Sequence, residues 1–276
     1  MHTAHTSFAD AFSKLPLGPL VVAWLPAHGY IYAHTTINGF GLSSQGHVLR
    51  VGCGGWWGYP GGLAAYARRF DFVEVNTTYY RLPTPETARG WRTQAGPASE
   101  FEFAVKAPRT LCAGEAGAGG VAEGEGARFF EVLSILEARF VVVHAPSGPG
   151  GAWVGLVERL ADSGYTPVLT PPRRGLGVLR ADGVRRGFPE PPRGLASACV
   201  YAWDPVLEEP PPTHVGYFYA RVFGVPVGVA HHLGGGMVSL AACRLRVALT
   251  RGGVRVAVHT YRAPEDALRI MRSLTA

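Results

Sequence analysis

The sequence of 276 residues predicts a single-domain (β/α)8 barrel preceded by an N-terminal extension. Three observations predict it. From Val48 onward, short β-rich runs alternate with helical stretches until eight such runs have passed. Polar residues recur at the C-terminal ends of otherwise apolar runs, where barrel enzymes place their chemistry. The glycines after the first run, Gly52-Cys53-Gly54-Gly55-Trp56, lack the GxGxxG spacing that the rival doubly wound sheet would favour.

Residues 1–47 read differently from the rest and are expected to form a partly ordered extension, with 48–276 as the barrel. Within the extension, Phe8–Phe12 has the makings of a short helix. Leu20–Trp24 and Tyr30–Thr35 read as a strand pair, with turn signals at His28-Gly29 and Asn38-Gly39. In the barrel, Val48–Gly52 is the first strand, and 63–70 a helix with Leu63, Tyr66, Ala67 and Phe70 on one face. The second strand is expected at 72–80, followed by a helix at 86–94 that carries Trp91. Strand three is expected at 101–107, and a helix at 127–137 turns Phe129, Phe130, Leu133 and Leu136 inward. Strand four at 140–144 and a helix at 153–162 follow, then strand five at 166–170 and a weak helix at 176–180. The remaining strands are expected at 198–203, 216–222 and 254–259, with a helix at 238–249. The closing helix, 264–274, begins with Pro264, has Glu265 and Asp266 in its first turn and Arg269 and Arg272 near its end, a charge order that suits the helix dipole. Its buried stripe is Ala267, Leu268, Met271 and Leu274.

Hydrophobic residues make up 47% of the chain, enough for a large core, and the many Gly (37) and Pro (22) call for many turns but follow no repeat period. The net charge of +6 favours phosphate-bearing partners. There is no dense basic run, however: Arg173-Arg174 and Arg185-Arg186 are isolated pairs, and Lys14 and Lys106 are the only lysines. Cys53, Cys112, Cys199 and Cys243 lie far apart without a CxxC pair, which argues against a zinc knuckle or an iron–sulfur motif. No signal-peptide pattern opens the chain, and Leu15–Leu25 is too short and too broken by proline and glycine to span a bilayer, so the expected location is cytoplasmic, without membrane association.

The candidate site is built from polar residues on apolar strands. In Phe72-Val73-Glu74-Val75-Asn76, alternation puts Glu74 and Asn76 on one side and the valines on the other, so acid and amide face the barrel axis. A buried carboxylate is costly unless paired or liganded. Glu74 is therefore the leading candidate for a general base or metal ligand; the structural alternative is an ion pair with Lys106 or with an arginine inside the barrel. Lys106 ends Phe103-Ala104-Val105-Lys106 and suits anion binding or acid–base work. Arg109, just beyond it, reads as a phosphate clamp or a surface residue. His144, Asp204, Arg221 and His259 stand at or near the ends of strands four, six, seven and eight. Glu74, His144, Asp204 and His259 are chemically suited to a divalent metal, although no short ligand spacing supports one. Trp56, Trp57 and Tyr59 after strand one, and Tyr79 and Tyr80 after strand two, are candidates for stacking on a sugar or base, with packing of the barrel top as the alternative, above all for Trp56. Gly54-Gly55 offers main-chain N–H groups to a phosphate. His231-His232, beside Gly234-Gly235-Gly236, reads as a mobile loop. No nucleophile elbow, P-loop or kinase motif is present.

The block Val51-Gly52-Cys53-Gly54-Gly55-Trp56, Tyr59-Pro60, Phe72-Val73-Glu74-Val75-Asn76-Thr77-Thr78-Tyr79-Tyr80-Arg81-Leu82-Pro83, Trp91 and Phe101–Arg109 resembles the YecE-like family, domain of unknown function seventy-two. The resemblance continues more weakly to about Leu274 and implies a TIM barrel, grouped by likeness with sugar isomerases and apurinic endonuclease barrels. Carried over residue by residue, Gly55, Trp56, Glu74, Asn76, Thr78, Tyr80, Lys106, Pro108 and Arg109 match its pattern, as do Pro146 and the pair Arg221 and Gly224. Departures concentrate in the second half. His144 stands in place of a glutamine, Leu169-Thr170-Pro171-Pro172-Arg173 lacks an acid, Phe223 replaces a histidine, and His259-Thr260-Tyr261 replaces an asparagine-rich strand end.

Two functions follow as expectations. One is an enzyme of isomerase or phosphoester-hydrolase type acting on a phosphorylated or sugar-like small molecule, with Glu74, Asn76, Lys106 and His144 as its catalytic set and Trp56, Tyr80, Arg109, Asp204, Arg221 and His259 around the substrate. The other is a nucleic-acid-binding barrel with little or no catalysis.

Overall fold

In a computed structural model of the chain, the described residues are 20–24, 31–35, 41–42, 46–113, 119–144, 152–170, 194–225 and 228–276. The strands β1 (Leu20–Trp24) and β2 (Ile31–Thr35) pair antiparallel, matching the strand pair read in the extension. The two-residue strand β3 (Gly41–Leu42) lies antiparallel against the start of β4 (Val48–Cys53). From β4 the chain runs through β5 (Phe72–Val75), β6 (Glu102–Lys106), β7 (Phe140–His144), β8 (Thr166–Thr170), β9 (Val200–Trp203), β10 (Tyr217–Val222) and β11 (Gly253–Val258). Each strand is parallel to the next, and β11 pairs back onto β4, so the sheet closes into the expected (β/α)8 barrel.

Helices α1 (Gly62–Ala67), α2 (Pro85–Ala95), α3 (Arg109–Ala113), α4 (Gly119–Ile135), α5 (Ala152–Asp162), α6 (Gly235–Leu249) and α7 (Ala263–Thr275) surround the cylinder. Four elements differ from expectation: β3 was not expected, and α4 begins at Gly119 rather than at residue 127. The second strand stops at Val75, and Thr77–Tyr79 forms a 3-10 turn. Thr78 causes this: its hydroxyl lies 2.8 Å from the Val75 carbonyl and 2.6 Å from that of Lys106, which folds the chain across the ends of β5 and β6. The short helix α3 occupies a stretch for which no helix was expected. The weak helix at 176–180, Arg173-Arg174, Arg185-Arg186 and Pro146 lie outside the described residues. Among the described residues no helix is long and apolar enough to cross a membrane.

Strand alternation sorts the side chains into two cores. Val51, Val73, Val105, Val141, Val143, Val222 and Val256 face outward and pack under the helices. Phe72, Ala104, Phe140, Val142, Val168, Val200, Ala202, Tyr219 and Ala257 face inward and form an apolar disc across the middle of the barrel. The rings of Phe72, Phe140, Tyr217 and Tyr219 meet edge-on or tilted within it, with centroids 5.5–6.0 Å apart.

Below the disc, at the N-terminal end, is an ionic layer that the sequence reading missed. Arg50 and Arg255 stand opposite each other on paired strands, a repulsive placement by itself. Glu102 relieves it, accepting from Arg255 at 2.8 Å on both carboxylate oxygens and lying 3.7 Å from Arg50. Arg50 also donates to the carbonyls of Asp71, Ser99 and Glu100. The Asp71 carboxyl is buried with neither oxygen hydrogen-bonded among the described residues, and burial pushes its pKa well above the usual carboxylate range against the pull of Arg50. Glu102→Gln strands two buried guanidinium groups and is expected to cost about 3–5 kcal/mol. Asp71→Asn, isosteric with a protonated carboxyl, is expected to cost under about 1 kcal/mol. Urea unfolding of the two variants at neutral pH checks the contrast, and equal losses would refute it.

Candidate functional site

Above the disc, the inward positions at the strand ends are occupied by Glu74, Lys106, His144, Thr170, Arg221 and His259. The parallel sheet brings all of these ends to one mouth, and both Glu74 and Lys106 belong to it rather than to the helix layer. Glu74 is fully buried. Its Oε1 accepts from Arg221 Nη2 at 2.8 Å, while Oε2 accepts from Arg221 Nε at 3.0 Å and from the Tyr219 hydroxyl at 3.0 Å. Arg221 is thus the partner of this buried acid. Burial raises the Glu74 pKa, but Arg221 and then His259 overcome that effect, and the carboxyl sits well below the usual range. It is a carboxylate held in place on both oxygens. Arg221 Nη1, which Glu74 does not engage, makes no hydrogen bond among the described residues.

His259 stacks on Phe223, with centroids 4.6 Å apart and planes at 16°. Its Nε2 lies 3.5 Å from Glu74 Oε1, and its Nδ1 lies 3.5 Å from Asn76 Nδ2. Burial first, then Arg221 and Lys106, lower the His259 pKa against the pull of Glu74, so the ring is neutral at pH 7. Gly54 makes this packing possible, since a Cβ there would stand 2.2 Å from His259 Nδ1 and 2.8 Å from Asn76 Nδ2. The Gly54 N–H, read as a phosphate donor, is instead given to the Val258 carbonyl at 2.9 Å. Asn76 donates to the Gly54 carbonyl at 3.2 Å, and its Oδ1 is buried without a hydrogen-bond partner among the described residues.

Lys106 is buried, with its ammonium 4.0 Å above the centre of the Tyr79 ring. His144 also meets that ring, with centroids 5.4 Å apart and planes at 58°, and its Nδ1 is 3.0 Å from the Thr170 hydroxyl. Asp204 is engaged differently. Its two oxygens accept from the main-chain N–H groups of Val206, Phe223 and Gly224 at 2.8–3.0 Å, fastening the chain after β9 to the chain after β10. Burial nonetheless raises the Asp204 pKa against those three bonds. Trp56 meets Trp91 edge-on at 5.1 Å and Phe103 at 6.4 Å, so it packs on the helix side of the barrel wall, against α2. Tyr80 and Arg109 are exposed. His232, read as mobile, is held by Asp266 at 2.9 Å.

Glu74 and His259 are brought together, whereas Asp204 is spent on main-chain amides and His144 sits beside Thr170. Among the described residues no three His, Cys, Asp or Glu side chains are grouped to hold a metal ion. The four suggested ligands therefore do not fit one. Tyr219 and Thr170 join the site unforeseen, whereas Tyr79, one of the rings read as a stacking candidate, lies against the Lys106 ammonium, and Phe223, noted as the replacement of a histidine, stacks on His259. Tyr219 carried a readable signal, two residues before Arg221 on the same inward face.

The barrel agrees with what the chain is similar to. Residues 54–145 match the family described as Protein of unknown function DUF72. The YecE-like resemblance thus holds across the segment that supplies Glu74, Asn76, Lys106 and His144. The UPF0759 protein YecE of Escherichia coli is 47% identical over 49 residues, which are 18% of this chain and 17% of that protein. A DUF72 family crystal structure from Enterococcus faecalis superposes with a TM-score of 0.62 at 16% identity, over 83% of this chain and 98% of that one. One from Thermotoga maritima gives 0.58 at 16% identity, over 83% and 100%. These structures establish the fold.

Because the Glu74 pKa is depressed on folding, its contribution to stability is present above the ordinary glutamate value of about 4.3 and declines as pH falls below it. Glu74→Gln is expected to cost about 3–5 kcal/mol at pH 7. The gap to the unaltered protein should narrow between about pH 5 and pH 3. Denaturant titrations across that range check this, and a gap independent of pH would rule out the ion pair as its source.

Proposed function

We propose that this chain is an enzyme acting on a phosphorylated, sugar-like small molecule at the C-terminal mouth of the barrel. The observation that carries the reading is a pair of buried cations there: Lys106 against the Tyr79 ring, and Arg221, held on two of its nitrogens by Glu74. Cations fixed in this way suit a phosphate or an oxyanion formed during reaction.

In this reading Glu74 is a positioning residue that fixes the plane of the Arg221 guanidinium. Lys106 and the remaining face of Arg221 hold the substrate's anionic group. The unpartnered Asn76 Oδ1 accepts from a substrate hydroxyl. His259, neutral at pH 7 and stacked on Phe223, moves a proton, and His144 serves as a second proton carrier beside Lys106. Of the two reaction types, isomerisation draws most directly on this set. It needs a neutral base to take a proton from carbon and cations to steady the resulting enediolate. Hydrolysis of a phosphoester would use the same cations on the phosphate.

Lys106→Met is expected to weaken binding of a pentose or hexose phosphate at least tenfold by calorimetry. His259→Gln is expected to lower turnover on the best compound of such a panel by about 10²–10⁴-fold with less effect on KM. Absence of both binding and turnover across the panel by the unaltered protein would sink the reading.

A further inference from the structure

The large apolar residues exposed on the described surface divide into two sets. Met237, Leu240 and Val247 are aliphatic and lie on α6. Trp57, Tyr80 and Tyr261 are aromatic, exposed to 98%, 79% and 76%, and each belongs to the loop after a strand. Those strands are β4, β5 and β11, consecutive around the barrel in the order β11-β4-β5. Neighbouring strands lie about 4.8 Å apart, so the three loops rise side by side from one arc of the mouth. They spring from the same strand ends that supply Glu74, Asn76 and His259. Leaving an indole and two phenol rings in water has no packing rationale, since each ring costs hydration without joining the core.

The charges around these rings narrow what would cover them. Arg81 follows Tyr80 and Arg262 follows Tyr261, and both are exposed. Sites for neutral sugars surround a stacked ring with carboxylates or amides that take up its hydroxyls. Here the nearby carboxylates are already engaged: Glu74 by Arg221 and Tyr219, Asp204 by three main-chain amides, and Glu265 by Arg262. Exposed rings interleaved with arginines, beside the strand ends that carry Lys106 and Arg221, match the way a flat base joined to a phosphate is held.

We infer that Trp57, Tyr80 and Tyr261 form a stacking rim for the base of a nucleotide whose phosphate enters the mouth beside Lys106 and Arg221. This deepens the proposed function and rests on its reading of the mouth as an anion site. It narrows the phosphorylated, sugar-like substrate to one that carries a nucleobase. The base lies over the rim, the ribose spans the lip near Asn76, and the phosphate meets the two cations.

Calorimetric titration with AMP, UMP, ribose 5-phosphate, adenosine and a five-nucleotide thymidylate strand tests both layers. AMP is expected to bind at least tenfold more tightly than ribose 5-phosphate. Trp57→Ala and Tyr261→Ala, substitutions at exposed positions, should each weaken AMP about tenfold and leave ribose 5-phosphate within about twofold. Equal affinity for AMP and ribose 5-phosphate, or rim variants that bind AMP like the unaltered protein, would overturn the rim while leaving the anion site standing. Adenosine binding as tightly as AMP, with ribose 5-phosphate unbound, would uphold the rim and overturn the anion site. If none of the five binds, both fall. A thymidylate strand bound more tightly than UMP identifies a strand end as the source of the nucleotide, and equal binding identifies the free nucleotide; either result upholds the rim.

Discussion

A charge inside a closed barrel has nowhere to go, and the interior of this one is organised around that constraint. Glu74 is fully buried and Arg50, Arg221 and Arg255 nearly so, and such a group must find its counterpart across the cylinder or change its protonation state. Glu74 on β5 reaches Arg221 on β10, and Glu102 on β6 reaches Arg255 on β11. These pairs run between strands far apart in sequence and fix how the two sides of the cylinder face each other. Where burial outweighs the pull of the nearest cation, as it does for the Asp71 carboxyl beside Arg50, the pKa shifts instead.

The same constraint shapes the mouth. Arg221 is oriented by two hydrogen bonds to one carboxylate, and Tyr219 closes that carboxylate from a third direction. His259 is then confined between the Phe223 ring and the Asn76 amide, in a space that exists because residue 54 has no side chain. The cations and the neutral imidazole are therefore set by packing before any ligand arrives. Such preorganisation makes electrostatic stabilisation effective in a low-dielectric site.

Most of the barrel was legible in the sequence because its two signals are local. Alternation of Val73, Glu74, Val75 and Asn76 assigns sides, and glycine or proline marks the ends of runs. The shortened second strand was not legible, because the Thr78 hydroxyl that turns the chain bonds to the carbonyl of Lys106, a long-range contact. Within the site, Glu74, Asn76 and Lys106 could be nominated from a polar residue on an apolar strand. Which arginine meets Glu74 depended on register across the whole cylinder. Asp204 carried the same surface signal as Glu74, yet it caps main-chain amides, and nothing local separates the two cases. The ionic layer below the disc escaped notice because Arg50 and Arg255 look like ordinary surface arginines until closure pairs their strands.

The disc of Phe72, Phe140, Tyr219 and their aliphatic neighbours lies between two charged layers and has its own consequence. It offers little to a hopping proton, since the Tyr219 hydroxyl is already turned toward Glu74. The two ends of the cylinder therefore exchange no protons along the axis through it. Their charges still act on each other, because a dry layer screens a field poorly: Glu102 at the floor raises the pKa of the Tyr219 hydroxyl that holds Glu74.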